Sequence, residues 1–281
     1  MPRREQDLRG RTALVTGAGR GQGRAVAVAL ARRGAVVWAT DLCAPSGTAP
    51  YPLAEPGDLD ETARLVSSEG GECHPELLDV RDPEAVNDLV GHVVDSTGSV
   101  DILVTCAGIV GFAPTAELRD EQWADMIATN LTGTFHCVRA VLPGMADRRS
   151  GRIVAISSMS GRQGTPNLAH YSASKWGVIG LIKSVALEYA QQGVTANVVC
   201  PTNVDTPMLH NPALYSLFAP DLDNPSRDDV EPRYAAMSPM RIPWSPPEAI
   251  ADAVDYLVGA SGDYVTGSVL DVGMGSAARM P

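Results

Sequence analysis

Thr12-Ala13-Leu14-Val15-Thr16-Gly17-Ala18-Gly19-Arg20-Gly21-Gln22-Gly23-Arg24 runs from a short apolar segment straight into glycines, and an alanine- and valine-rich helical pattern follows from Ala25 to Arg33. Residues Thr12 to Thr16 read as a buried parallel strand. Glycines at 17, 21 and 23 allow a tight turn and close approach of backbone to a pyrophosphate, while the helix behind them offers N–H groups and the positive end of its dipole. A glycine loop alone is weak evidence. Set between a strand and a helix, it predicts a dinucleotide site at Gly17, Gly19, Arg20, Gly21, Gln22 and Gly23.

A second apolar run, Ala35 to Thr40, ends in Asp41, about twenty residues past the loop. A carboxylate there accepts hydrogen bonds from the adenosine ribose hydroxyls and repels a 2′-phosphate, which favours NAD over NADP. Arg20 is a minor opposing signal, outweighed by like-charge repulsion at close range. Further strand-like runs at Cys73 to Leu78, Ile102 to Thr105, Arg152 to Ile156, Thr195 to Val199 and Ser268 to Val272 alternate with helical stretches. The alternation predicts an α/β fold: a single doubly wound Rossmann domain over residues 1–281, its seven-stranded parallel sheet covered by helices on both faces. Two segments interrupt it. Residues 42–57 form a Pro-rich insertion on the cofactor side, after which Asp58 is expected to cap a helix, with Glu61 placed for a capping box. Residues 201–247 hold ten of the 21 prolines and are expected to be a largely irregular lid over the substrate side.

The run His170-Tyr171-Ser172-Ala173-Ser174-Lys175 lies just past Ser158, with thirteen residues from Ser158 to Tyr171. Positions i and i+4 share a helix face, so the Lys175 ammonium is expected to sit beneath the Tyr171 phenol and favour its ionised form. A phenol titrates ordinarily at about 10, and each unit of depression needs about 1.36 kcal/mol of preference for the phenolate. A tyrosine so placed can act as a base.

With the glycine loop, Asp79-Val80, Cys106-Ala107-Gly108, Asn130, Ser158, Tyr171, Lys175 and Pro201 in order, the chain resembles the short-chain dehydrogenase/reductase family over nearly its full length. The resemblance implies an enzyme acting on a CH–OH group with NAD as acceptor, its chemistry carried by Asn130, Ser158, Tyr171 and Lys175. Tyr171 would take the hydroxyl proton, Ser158 would hydrogen-bond the same oxygen, and Lys175 would also bind the nicotinamide ribose. Asn130 would kink its helix and hold a proton-relay water. Leu42, Asp79, Val80, Cys106, Ala107, Gly108, Tyr171, Lys175, Pro201, Thr202, Val204 and Thr206 would line the cofactor. Where the family usually has Asn-Asn-Ala-Gly, this chain has Thr105-Cys106-Ala107-Gly108, so the polar contacts of the second asparagine are missing.

The insertion after Asp41 and the run Thr202-Asn203-Val204-Asp205-Thr206-Pro207-Met208-Leu209-His210 are similar to the carveol dehydrogenase-like, mycofactocin-coupled branch of that family. For that branch the implied NAD is held too tightly to exchange and is recycled in place by mycofactocin. The implied pocket draws on Gly111, Phe112, Met159 to Thr165, Met208, Leu209, Leu214, Tyr215, Phe218 and Trp244. These are mostly apolar, which suits an apolar secondary alcohol or its ketone. Two other readings stand beside it: a conventional NAD(H)-exchanging steroid or acyl ketone reductase, and a catalytically silent NAD-binding scaffold. The family commonly forms homotetramers through the helices carrying Asn130 and Tyr171, with Val254 to Gly259 and the strand near Val269 expected to contribute.

A net charge of −11 speaks against nucleic acid or an anionic membrane as a partner, and the basic start at residues 2–4 is too short to alter that. No apolar run approaches the roughly 20 residues of a membrane span, and no secretory signal pattern is evident, so the expected location is cytoplasmic. Five scattered cysteines without a Cys-x-x-Cys pair read as reduced thiols. Five histidines without metal-ligand spacing predict no metal site, and among them only His170 and His210 lie close to the candidate site.

Overall fold

The computed structural model describes residues 8–279; the basic start at residues 2–4 lies outside them. Seven parallel strands form one sheet in the order β3-β2-β1-β4-β5-β6-β7. They are β1 (Thr12–Thr16), β2 (Val36–Asp41), β3 (Glu72–Leu77), β4 (Ile102–Thr105), β5 (Gly151–Ile156), β6 (Val194–Pro201) and β7 (Val269–Val272). Each expected strand is present: β1 and β4 match as read, and the ends of the others are displaced by no more than two residues. The doubly wound topology places a crevice at the C-terminal ends of β1 and β4, where the strand order reverses.

Strand residues alternate between two apolar layers. Leu14, Trp38, Leu103, Ile153 and Ala155 face one side, where they pack with Val86, Val90 and Val93 of α3 (Pro83–Thr97), with Val138, Val141 and Met145 of α5 (Gly133–Asp147), and with Val178 and Ile182 of α6 (Ala169–Tyr189). Ala13, Val15, Val37, Val104 and Val154 face the other, against Val26 and Leu30 of α1 (Gly21–Arg32), Leu59 and Val66 of α2 (Pro56–Ser68), and Ile250, Val254 and Leu257 of α9 (Pro247–Val258). Central strands buried on both faces need this continuous Val/Ile/Leu character, which is why β1 and β4 carry no alternation of polarity.

Two local expectations are corrected. Asp58 does not cap α2: the N-cap is Glu55, Pro56 takes the first helical position, and Asp58 sits at N3, its carboxylate accepting from Glu55 N at 3.0 Å. Proline at the first position starts the helix three residues earlier than the Asp58 reading, because its missing N–H is an orphan donor there anyway. Glu61 instead pairs with Arg64 at 2.6 Å. Residues 201–247 are less irregular than expected, because Pro212–Phe218 form α7, capped by Asn211 on Leu214 N, and Arg227–Met237 form α8, capped by Ser226 on Asp229 N. The root of this excursion is closed by a bridge between Val204 and Ser245, with Asp205 N donating to Ser245 O at 2.9 Å and Ser245 N to Asn203 O at 3.0 Å.

Candidate active site

At the C-terminal ends of the strands lies a cleft of about 1150 Å³, measured to its open mouth. Its floor at one end is the glycine loop. Gly17 adopts φ +66°, and a Cβ there would stand 2.6 Å from Ala107 N; a Cβ on Gly23 would stand 2.1 Å from Gly17 O. These glycines let β1, β4 and α1 approach each other at backbone distance. The α1 N-terminus has no side-chain cap and no acidic residue in its first turn, so its N–H groups and dipole face the cleft unspent. Asp41 accepts from Gly19 N at 2.9 Å and from Cys43 N at 3.4 Å, fixing its carboxylate at the loop's edge. Arg24 ties the same loop to α2 through the Gly19 and Asp58 carbonyls and the Thr62 hydroxyl. That uncapped helix end, the close-packed glycines and the adjacent carboxylate together fit a dinucleotide pyrophosphate and ribose.

Of the residues expected to line the cofactor, Gly17, Arg20, Gly21, Gln22, Gly23, Asp41, Leu42, Asp79, Val80, Cys106, Ala107, Gly108, Tyr171, Lys175 and Thr206 do line this cleft. Gly19, Pro201, Thr202 and Val204 are not in its lining. Gly19 is turned into its bond with Asp41, while Pro201 and Val204 are buried beneath the lid's root. Burial raises the Cys106 thiol to about 12, so at the place of the family's second asparagine stands a neutral thiol.

At the other end, α6 brings Tyr171 and Lys175 to the wall. The Lys175 Nζ donates to Ile156 O at 2.9 Å and lies 5.7 Å from the centre of the Tyr171 ring. Lys175 is buried, and loss of hydration lowers its ammonium to about 8. The Tyr171 phenol moves opposite to expectation. Protein packed around it raises it above its ordinary value, opposed by the hydrogen bond from Ser158, and Lys175 is not among the causes. The helical spacing does bring the two side chains together, but desolvation outweighs the attraction. Ser158 follows β5 and also accepts from Ser160 N at 3.1 Å, whereas its neighbour Ser157 is committed to Lys175 O at 2.8 Å. Ser157 rather than Ser158 appears in the cleft lining, although Ser158 is the one that reaches Tyr171.

Asn130 lies within a one-turn π-helix, Ala128–Thr132, joining α4 (Asp120–Ile127) to α5. The side chain is buried behind the cleft. It accepts from Ile109 N at 2.9 Å and donates to Ile109 O at 3.0 Å and to the Ser174 hydroxyl at 3.1 Å, and Ser174 in turn donates to Tyr171 O at 2.7 Å. The expected departure from regular helix at Asn130 takes the form of this π-turn. The amide's own bonds are spent on protein groups that hold the 109 loop against α6.

The insertion is where sequence reasoning missed most. Its residues Ser46, Tyr51, Leu53 and Ala54 line the cleft. The Ser46 hydroxyl donates to Asp125 of α4 at 3.0 Å, Thr48 bonds the same carboxylate, and Arg20 donates to Pro52 O. Arg81 links Asp125, at 2.8 Å, to Asp79, at 2.7 Å. Tyr51 reaches furthest: with Val110, Leu168 and Leu214 it forms a buried cluster against which Leu53, Phe112, Tyr171, Met208, Leu217 and Phe218 pack. Of the expected pocket residues, Phe112, Met208, Leu214 and Phe218 thus gather beside Tyr171, while Leu209, Tyr215 and Trp244 pack around Tyr234 in a separate lid cluster, and Met159 joins the sheet core. His210 belongs to that lid cluster, at 2.9 Å from the Tyr215 hydroxyl and 2.8 Å from Asp205. His170 is buried, and its Nδ1 has no partner among the described residues.

The family model for short chain dehydrogenases matches residues 11–213. The chain belongs to the short-chain dehydrogenase family. Within it, the chain is 38% identical over 274 residues to a (-)-trans-carveol dehydrogenase of Rhodococcus erythropolis, covering 97% of this chain and 99% of that one. An uncharacterised NAD-dependent oxidoreductase of Mycobacterium tuberculosis is 39% identical over 283 residues, covering 98% and 99%. The crystal structure of carveol dehydrogenase from Mycobacterium avium in complex with NAD superposes with a TM-score of 0.94 at 40% identity, covering 98% of this chain and 99% of that one.

Proposed function

We propose that this NAD-dependent short-chain oxidoreductase interconverts an apolar alicyclic secondary alcohol and its ketone. The observation that carries the reading is the placement of Tyr171, with Ser158 beside its phenol and Lys175 beneath its ring, at the meeting point of a glycine-lined dinucleotide cleft and a cluster of apolar side chains. NAD binding falls to the backbone of Gly17, Gly21 and Gly23, to Asp41 for the adenosine ribose, to Asp79 and Val80 beside the adenine, and to Lys175 for the second ribose. Bound NAD supplies the hydride acceptor. Tyr171 holds or receives the hydroxyl proton, Ser158 steadies charge on the same oxygen, and Asn130 keeps α6 in register through Ser174. Because burial holds the Tyr171 phenol protonated at neutral pH, it is ready as an acid for the ketone and must lose its proton before it serves the alcohol.

The (-)-trans-carveol dehydrogenase and the carveol dehydrogenase among its relatives, together with the apolar wall of Phe112, Met208, Leu214 and Phe218, support a terpenoid-sized substrate. The strap formed by residues 42–57, pinned at Ser46, Thr48 and Pro52, supports an NAD that leaves slowly and is recycled in place by mycofactocin. Exposed Trp123, Phe135, Trp176 and Leu187 on α4, α5 and α6 support a homotetramer through those helices. Along α9 only Tyr256 of the 254–258 stretch is exposed, since Val254, Leu257 and Val258 serve the protein's own core, so β7 and Tyr256 are that end's contribution. Five free cysteines suit a cytoplasmic site of action, and no helix among the described residues is long and apolar enough to cross a membrane.

The test is mass spectrometry and absorbance on purified, then denatured, protein, paired with Tyr171→Phe. Stoichiometric NAD surviving gel filtration supports the retained cofactor, whereas empty protein that turns over added NADH freely removes the mycofactocin reading. Turnover that survives Tyr171→Phe removes the assigned acid–base role.

A further inference from the structure

The insertion carries a second phenol to the reacting end of the cleft. Tyr51 is 7% exposed, lines the same cleft as Tyr171 and Lys175, and is packed in the cluster that Tyr171 leans against. Its oxygen is engaged on one side only, accepting a hydrogen bond from Val110 N at 3.1 Å. Among the described residues no acceptor for its proton lies within hydrogen-bond reach. Burial pushes its phenol well above the ordinary range, with Tyr171 acting in the same direction, so the group keeps its proton and remains a donor at neutral pH.

A buried hydroxyl whose lone pair is fixed by a backbone N–H has one direction left for its proton. Its ring neighbours Val110, Leu168, Leu214 and Leu53 offer no acceptor, and the cleft beside Tyr171 is the open side. The strap holding it is pinned at Ser46 and Thr48 on Asp125 and at Pro52 on Arg20, so the hydroxyl is placed by two anchored ends rather than by a free loop. Beside it Phe112, Met208, Leu214 and Phe218 supply only apolar side chains, so on this side a fixed donor decides which ligands are well matched, because an apolar isostere leaves that donor unpaired.

We propose that Tyr51 is a specificity-determining residue that donates a hydrogen bond to a second oxygen of the substrate. The preferred substrate is then an alicyclic secondary alcohol or ketone bearing a further ether, carbonyl or hydroxyl oxygen away from the reacting carbon. This rests on the alcohol–ketone reading above and narrows it. The insertion is on this account a wall of the substrate pocket as well as a strap over the nucleotide.

The experiment measures equilibrium binding of shape-matched ketone pairs, 2-, 3- or 4-methoxycyclohexanone against the corresponding ethylcyclohexanone, to the NAD-loaded full chain and to its Tyr51→Phe variant. The wild-type protein is expected to bind at least one methoxy ketone about three- to tenfold more tightly than its ethyl partner, and Tyr51→Phe to abolish that ratio. Any general loosening from the unpaired Val110 N–H affects both members of a pair and cancels. The wild-type ratio is itself a test should the variant fail to fold: no preference for any methoxy ketone overturns the proposal. So does a Tyr51→Phe variant that keeps the ratio, or one whose NAD dissociation constant rises while the ratio stays, since the proton then serves the cofactor. Turnover by wild type and Tyr171→Phe is recorded in parallel. Binding preference without turnover refutes the oxidoreductase chemistry alone, and turnover without binding preference refutes the Tyr51 assignment alone.

Discussion

Replacing Lys175 by methionine should abolish turnover yet make the cofactor-free protein more stable at neutral pH. Lys175 is buried with its ammonium lowered from 10.5 to about 8. Holding the charged form in the fold therefore costs about 3 kcal/mol relative to the unfolded chain at pH 7. Methionine fills a similar volume without that charge, but it leaves the Ile156 carbonyl without the bond that Nζ donates at 2.9 Å, a loss of about 1–2 kcal/mol. The net gain is about 1–2 kcal/mol, or roughly 2–6 °C in Tm for a chain of this size. Between pH 8 and 10.5 the unfolded lysine still holds its proton while the folded one has released it. The unfolded state then binds more protons, so wild-type stability rises with pH across that window. The variant's advantage should shrink and reverse by pH 10.5. Equilibrium urea unfolding of both proteins at pH 7, 8.5 and 10 measures the gap, and groups common to both cancel. A gap that does not change with pH, or a variant less stable at pH 7, would refute the assignment of Lys175 as a charge held against its hydration.

Because the Tyr171 phenol is raised above its ordinary value and protonated at neutral pH, kcat/KM for alcohol oxidation should rise as pH increases above neutral while ketone reduction holds steady, and steady-state rates from pH 6 to 10 report it. Gly23→Ala should eliminate NAD binding and lower Tm, since the added Cβ would stand 2.1 Å from Gly17 O with only backbone to yield; isothermal titration together with a melting scan separates the two effects. Asp41→Ala should weaken NAD about ten- to hundredfold and narrow its advantage over NADP, read from KM for each, because it removes a charged acceptor that also holds Gly19 N at 2.9 Å. Asp101→Ala should cost about 2–3 kcal/mol in urea unfolding with kcat unchanged, since its buried carboxylate accepts from Thr12 N and the Ser99 hydroxyl, both at 2.9 Å, far from the cleft.

What was legible in the sequence is what local pattern determines. The strand at Thr12–Thr16, the glycines after it and the four-residue spacing of Tyr171 and Lys175 each express a short-range geometry, so the sheet, the cradle and the α6 face could be read directly. Pro56 and Pro212 misled because proline was taken as a mark of irregularity, whereas each stands at the first position of a helix. The direction of the Tyr171 shift could not be read from spacing, since it depends on how much protein surrounds the phenol. Tyr51, Arg81 and Asp125 come from three segments that meet only through tertiary packing. The single hint was an aromatic side chain among the prolines of the insertion, and no periodicity set it apart.

The strand order has a consequence for how the chain is made. β2 pairs with β1, β3 adds outside β2, β4 adds to the free edge of β1, and β5, β6 and β7 follow outward one after another. No strand has to be inserted between two already paired, so the sheet can accrete in the order of synthesis as residues leave the ribosome at about 5–20 per second. The nucleotide half is complete in sequence by Gly108, whereas β6 must wait for the whole of residues 201–247 before Val269–Val272 covers its edge. During that interval the edge of β6 is an open template for pairing with another nascent chain. A lesion in the excursion would therefore first register as lost soluble yield, before any change in catalysis could be measured.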